Sequence, residues 1–242
     1  TGHTGRSQPR KPEWTEMEFQ LRNWYFFTWI SGDHNVEQHV HSLDKASWAM
    51  GDRPPVRAWG LGGRQVKNEP KYGNIYDHHA VVYEYAGGAR MYALARQQPG
   101  CFNNYSEMLM GTKGRCDLQK GLIVGETNWT HGQTAGDLSG FSGRTQAKGK
   151  PRPMHQVEQD ELFGAIRAGK CINNGDYMCR STLLAILGRE AGYTGQEITW
   201  EQMKESKQDL SPERYAFDAT PPILPGSDGR YPVAMPGVTK FV

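Results

Sequence analysis

The chain has 242 residues, with 28 Lys and Arg against 26 Asp and Glu, for a formal charge of +2. So near-neutral a balance carries no electrostatic footprint for nucleic acid, and the lack of an apolar run of about 18 residues excludes a membrane-spanning helix. A mean hydropathy of −0.72 with 37% hydrophobic residues describes a water-soluble chain long enough to bury a core, while 29 glycines and 14 prolines describe one rich in turns.

The chain opens at Thr1-Gly2-His3, with neither an initiator Met nor the apolar stretch of a signal peptide, and so reads as part of a longer protein. Residues 1–15 are polar and read as extended. Residues 16–30 are dense in aromatics (Trp24, Tyr25, Phe26, Phe27, Trp29) and predict a short helix running into a buried segment. Ser31-Gly32-Asp33 breaks it, with Asp33 placed to cap the next helix. From Val36 to Met50 the period is helical: Val36, Val40 and Leu43 form an apolar stripe, and Glu37, His41, Asp44 and Trp48 form a second. Gly51-Asp52 and Pro54-Pro55 stop it.

The middle reads as β structure. Residues 55–61 predict a strand, and residues 76–85 and 89–97 predict a hairpin around Ala86-Gly87-Gly88. On its first strand Tyr76, His78, Ala80 and Val82 share one face, and Asp77, His79, Val81 and Tyr83 the other. On its second, Arg90, Tyr92, Leu94 and Arg96 share a face. Shorter strands are expected near 106–112 and 115–124, then a long loop over 130–153. Helices follow at 155–168 and 177–192, and Thr199 with Gln202 forms a capping box for a last short helix. The proline-rich tail, about 205–242, is expected to wrap the surface. Strands grouped between groups of helices give an α+β fold with a mostly antiparallel sheet, read as one domain over 1–242.

Four cysteines (Cys101, Cys116, Cys171, Cys179) are too sparse for a disulfide framework and read as buried free thiols. Sequons at Asn104 and Asn128 read as chance matches. Gly60-Leu61-Gly62-Gly63 lacks the strand–turn–helix context of a dinucleotide fingerprint. Phosphate-loop, nucleophile-elbow and zinc-protease motifs are absent.

The densest chemistry lies between Asp33 and Asp44. His39 and His41 are about 200° apart on a helix and cannot chelate one ion there, so ligand spacing argues against a metal. Glu37 and His41, spaced i, i+4, would meet on one face, where a carboxylate can orient an imidazole for acid/base work. His34 would share that side. His78 and His79 point to opposite sheet faces, so at most one can face a site. Arg64, Arg90 and Arg96 are candidates for gripping a polar substrate, with exposed sheet-surface arginines the plainer reading.

The run Trp24–His34, continued through Glu37-Gln38-His39-Val40-His41 to Asp44, resembles the Gfo/Idh/MocA oxidoreductases, and within them a sugar-dehydrogenase-like branch. Gly62–Val66, Gly73–His78, Gly111–Gly114, Ala165–Gly169 and Tyr193–Trp200 extend the resemblance collinearly over nearly the whole chain. It covers only the C-terminal half of such enzymes. The resemblance implies an open, mostly antiparallel sheet with a substrate face and a subunit-packing face. It also implies a homo-oligomer, a carbohydrate-type substrate, and NAD or NADP held by a Rossmann domain. Neither the Rossmann fingerprint nor that domain's Glu-Lys-Pro motif occurs here. By resemblance, His41 takes the acid/base position and Glu37 the place of an aspartate. Asp44 becomes a supporting residue, while His34, Arg64, His78 and Arg96 are substrate-binding. Redox activity is then not expected of this chain alone, and a Rossmann partner would lie in the same gene or a separate chain. The sequence leaves open a stand-alone lyase, hydratase or isomerase of keto-sugars, metal-assisted or not, and a non-catalytic dimerisation module.

Overall fold

The computed structural model describes residues 7–130 and 153–242, with Met154 by its backbone alone. The chain forms two compact units, residues 1–104 with 177–242, and residues 105–176.

In the first unit, α1 (Glu16–Arg22) starts at Thr15, whose hydroxyl accepts the Glu18 N–H at 3.1 Å. A 3₁₀ turn (Trp24–Phe26) and α2 (Thr28–Ser31) carry the aromatic run inward. Phe19, Tyr25, Phe26, Phe27, Ile75 and Tyr231 pack there as one buried cluster, with Phe27 and Tyr231 edge to face at 4.9 Å. The tail therefore does more than wrap the surface: Tyr231 completes this core.

The helix expected over 36–50 is two helices, α3 (His34–Glu37) and α4 (Val40–Ala49). The Gln38 and His39 N–H groups both bond the His34 carbonyl, at 3.1 and 3.0 Å, which widens the turn. The wide turn is held by Asn35, whose amide donates to the Ala185 carbonyl at 2.8 Å and whose oxygen meets His39 Nδ1 at 3.0 Å. Asp33 sits at the cap position but caps nothing with its side chain.

Strands β1 (Arg57–Gly63), β2 (His78–Glu84) and β3 (Arg90–Arg96) form an antiparallel sheet of order β3-β2-β1-β8, with β8 at Ile198–Thr199. The inner face (Ala58, Val81, Tyr83, Ala93) packs with α6 (Gly175–Thr194), whose Leu184, Ala185, Leu187 and Ala191 are buried. The outer face follows the alternation read from sequence. Leu61, Ala80 and Leu94 align in one row, Trp59, Val82 and Tyr92 in the next. Leu61 is 77% exposed and Leu94 74%, so among the described residues this face is uncovered. Glu84 closes one end with Arg57 at 2.6 Å and Arg90 at 2.8 Å. The expected capping box starts α7 (Trp200–Glu205).

In the second unit, β4 (Met108–Gly111), β5 (Gly114–Asp117), β6 (Leu122–Gly125) and β7 (Trp129–Thr130) form an antiparallel meander, with the strand expected at 115–124 divided by a turn. α5 spans Met154–Arg167. The loop expected over 130–153 lies almost wholly outside the described residues. The cysteines are free but not buried: Cys101, Cys171 and Cys179 are exposed and Cys116 is partly so, because the core is filled by aromatic and aliphatic side chains instead. Among the described residues no helix is long and apolar enough to cross a membrane.

Gly73 joins the aromatic core to the sheet. It has φ +53°, and a Cβ there would lie 2.0 Å from the Phe26 carbonyl oxygen, which accepts the Asn74 N–H at 3.0 Å. Gly73→Ala is expected to cost about 3 kcal/mol, from left-handed strain and the backbone clash together. Urea denaturation should show the lowered midpoint with an unchanged slope.

Candidate active site

The polar residues converge where β1 ends, β2 begins, β3 ends and α3 starts. Asp33 is fully buried at φ +75°, a conformation a non-glycine residue adopts only when its surroundings impose it. Its Oδ2 accepts the Tyr193 hydroxyl at 2.5 Å and the Tyr76 N–H at 2.8 Å, and the Tyr193 oxygen lies 3.0 Å from the Thr28 hydroxyl. His79 Nε2 approaches Oδ2 at 3.4 Å, and His34 Nδ1 approaches Oδ1 at 2.6 Å, both out of hydrogen-bond alignment. Burial alone would raise the Asp33 pKa, but the two imidazoles beside it hold it well below the usual carboxylate range. Burial in turn lowers His79, against the pull of Asp33.

Among the described residues, Asp33, His34 and His79 form a set that could ligate a metal, with ligand atoms within 4.8 Å of one another. Two donors on one tetrahedral ion, with bonds of about 2.0–2.1 Å, sit about 3.3 Å apart. Asp33 Oδ1 and His34 Nδ1, at 2.6 Å, would have to separate. Asp33 also feels the buried Lys67 ammonium, so a divalent ion would add to a charge already balanced. The spacing and the charge suit a structural knot better than a metal.

Asp77 is the second anchor. Its Oδ2 accepts the N–H groups of Gln65, Val66 and Lys67 at 2.7, 2.6 and 3.1 Å, and its Oδ1 meets His78 Nδ1 at 2.8 Å and Gln98 Nε2 at 3.0 Å. Burial raises its pKa, but His78 and these backbone donors outweigh that and hold it at about 2. The loop after β1 is thereby folded over the carboxylate, which places Lys67 inside.

Lys67 is 3% exposed. Its ammonium donates to Gln97 Oε1 and lies 5.6 Å from the centres of both the Tyr25 and Phe26 rings. Gln97 donates to the Tyr25 hydroxyl oxygen and, at 2.8 Å, to Gln38 Oε1. Sequence reasoning missed Lys67, Gln97 and Tyr25. A lone lysine in a loop carries no motif, and only the fold shows that it is buried.

Of the residues singled out from sequence, His41 is exposed, and among the described residues its imidazole has no hydrogen-bond or ion-pair partner. Glu37 ends α3, half-buried, with its Oε2 shielded from solvent. The two therefore stand on separate helices and not on one stripe. His34 is buried in the Asp33 knot, on a different side from His41. Arg64 spends its guanidinium on main-chain carbonyls, those of Lys67, Gly73 (2.6 Å) and Glu69 (3.2 Å). His78 is part-exposed beside Asp77, while His79 is buried, as opposite faces require. Arg96 is exposed and bonds the Phe102 carbonyl at 3.1 Å. Arg90 belongs to the Glu84 ion cluster. Asp44 accepts from Ser181 at 2.7 Å and from Tyr177.

The chain matches no family model and no curated protein. Its fold is shared by solved structures. Against an aldose-aldose oxidoreductase from Caulobacter crescentus complexed with glycerol, the TM-score is 0.54 at 15% identity, over 73% of this chain and 50% of that one. Against a putative oxidoreductase from Thermotoga maritima it is 0.52 at 14% identity, over the same shares. The chain thus spans about half the length of the solved structures it matches, and shares the α+β fold of that half.

Lys67 supplies a test of the site that needs no substrate. Burial lowers its pKa from 10.5 to about 8; Asp33 and Asp77 pull it upward and Arg64 downward. Between pH 8 and 10.5 the unfolded chain binds the extra proton, so folding stability rises with pH across that window. The rise should be on the order of 3 kcal/mol, and Lys67→Met should abolish it in denaturation midpoints taken from pH 7 to 10.5.

Proposed function

We propose that this chain is the substrate-binding and acid/base half of an NAD(P)-dependent oxidoreductase acting on a hydroxyl of a sugar, glycoside or cyclitol. The fold likeness to an aldose-aldose oxidoreductase supports the class. The observation that carries the site is His41, an exposed imidazole on the first turn of α4, close in sequence to a shielded Glu37 carboxylate and to the buried polar cluster.

Among the described residues we identify no strand–turn–helix of the kind that cradles a dinucleotide. Every strand pair among the described residues is antiparallel, and the glycines of β1 lie within the strand rather than before a helix. The cofactor site then belongs to a Rossmann domain, upstream in the same polypeptide or on a separate chain. A nicotinamide bound there supplies the hydride acceptor. His41 takes the substrate hydroxyl proton, and its exposure leaves it free to face both sugar and cofactor. Glu37, at the end of α3, stands four residues before it as the carboxylate of the pair. His78 and Arg96, paired across β2 and β3 at the end of the sheet beyond the two apolar rows, contact sugar hydroxyls. Arg64 and His34 act from beneath, by shaping the loop after β1 and the start of α3. No metal enters this reading.

In the full-length protein with NAD(P) and sugar or cyclitol substrates, His41→Ala should lower kcat/KM by about 10²–10⁴-fold and Glu37→Gln by less. Full turnover in His41→Ala would remove the role given to His41.

The outer face of the first sheet, with two apolar rows between the Glu84 ion cluster and the His78–Arg96 end, fits a second copy of this chain packed face to face. Leu61→Lys with Leu94→Lys should convert the oligomer to monomer in light scattering. Both side chains are exposed in the single chain, so the monomer's own stability should change by no more than about 0.5 kcal/mol.

A further inference from the structure

Gln38 lies at the junction of α3 and α4, three residues before His41. It caps the C-terminus of α3 with φ −115° and ψ −47°, one residue before His39, the N-cap of α4, and its carbonyl accepts the His41 N–H at 3.3 Å. The Gln38 side chain is held in turn by Gln97, which sits just past β3 and is 6% exposed. The Gln97 N–H is tied to the Asp77 carbonyl at 2.8 Å, which fixes its backbone to the start of β2. Its amide is saturated: Nε2 donates to Gln38 Oε1 and to the Tyr25 oxygen, and Oε1 accepts from Lys67. An ammonium can only donate, so Lys67 dictates which end of the amide faces it and hence which end faces Gln38.

We propose that Lys67 and Gln97 are positioning residues for His41: they orient the Gln38 side chain, and through it the angle at which α4 presents the imidazole. Attraction to Asp33 and Asp77 favours a cation here, but it does not choose the hydrogen-bond partner, and that partner is Gln97. Among the described residues Lys67 makes no ion pair, and the Asp33 and Asp77 oxygens already hold the contacts described above. A methionine would fill the same space beneath Tyr25 and Phe26 without the cost of burying a charge. What the lysine adds to that attraction is the orientation it imposes on Gln97.

The inference rests on the acid/base reading of His41, and the test separates the two. In the isotopically labelled full chain, the His41 ring signals are identified by their loss in His41→Ala. Their shifts and titration midpoint are then followed in Gln97→Leu, Lys67→Met and Gln97→Glu. Gln97→Leu and Lys67→Met are expected to move both. Gln97→Glu, which keeps the Lys67 and Tyr25 partners while the Gln38 amide turns to donate, is expected to stay near the parent. In turnover, the first two should lower kcat at least tenfold with KM within about twofold, the signature of a misplaced group rather than lost binding. Unmoved His41 signals in folded Gln97→Leu and Lys67→Met would overturn the inference. Should Gln97→Leu fail to fold, Gln38→Met and Lys67→Met carry the same comparison. Should His41→Ala keep its turnover while Gln97→Leu moves the His41 signals, the acid/base reading falls and the positioning stands.

Discussion

The Asp33 carboxylate is the point on which the first unit turns. One oxygen receives the Tyr76 N–H from the start of β2 and the Tyr193 hydroxyl from the end of α6, while Asp33 itself begins α3. Three elements distant in sequence are thereby pinned to one buried charge. Hydrogen bonds to a charged group are worth about 1.5–3 kcal/mol each, enough to impose the left-handed backbone conformation that Asp33 adopts. The Tyr193 hydroxyl is raised well above its ordinary range, by burial first and Asp33 second, so it remains a donor at any physiological pH. The knot therefore does not loosen by titration of Tyr193.

Around this anchor the fold separates two kinds of imidazole. His34 and His79 lie beside the carboxylate with 2% exposure or less, sealed from bulk solvent, and serve to shape the charge there. His41, seven residues after His34, is in water. A group that must take a proton from a substrate and pass it on needs access, and only the second kind has it. The break between α3 and α4 produces this separation. An unbroken helix would hold His41 in register with His34, on the side that faces the knot.

Much of the architecture was legible in the residues. Alternation set Val81 and Tyr83 on one face and Ala80 and Val82 on the other, because a two-residue period is a direct consequence of strand geometry; which face is inner is decided by α6 packing on the first. Thr199 and Gln202 announced α7 through local capping chemistry. The helix break was not legible, because the apolar positions Val36, Val40 and Leu43 keep helical spacing across it. What opens the turn is a long-range bond from Asn35 to the carbonyl of Ala185, 150 residues away. Asp33 could be read as a cap, since Asp favours that position, but its partners Tyr76 and Tyr193 lie on elements whose meeting is a tertiary fact. The candidate site divides in the same way. Glu37 and His41 were proposed from chemistry and from a helical spacing that the break between α3 and α4 interrupts, while Lys67 and Gln97 carry meaning only once burial is known.

The arrangement also explains why so polar a cluster coexists with so aromatic a core. Tyr25 and Phe26 turn their ring faces to the Lys67 ammonium, and the Tyr25 oxygen receives a Gln97 N–H. The aromatic segment thus solvates a cation on one side and packs against Tyr231 and Ile75 through its neighbours on the other. A purely aliphatic segment would fill the same volume but leave the ammonium without its π partners, and Lys67 would then find its way back to water. The loop after β1 would follow it, and Gln97 would lose the donor that fixes its amide. The density of Trp, Tyr and Phe between residues 24 and 29 therefore does more than fill a core: it makes a buried charge tenable at the strand ends, where the chemistry of the chain is concentrated.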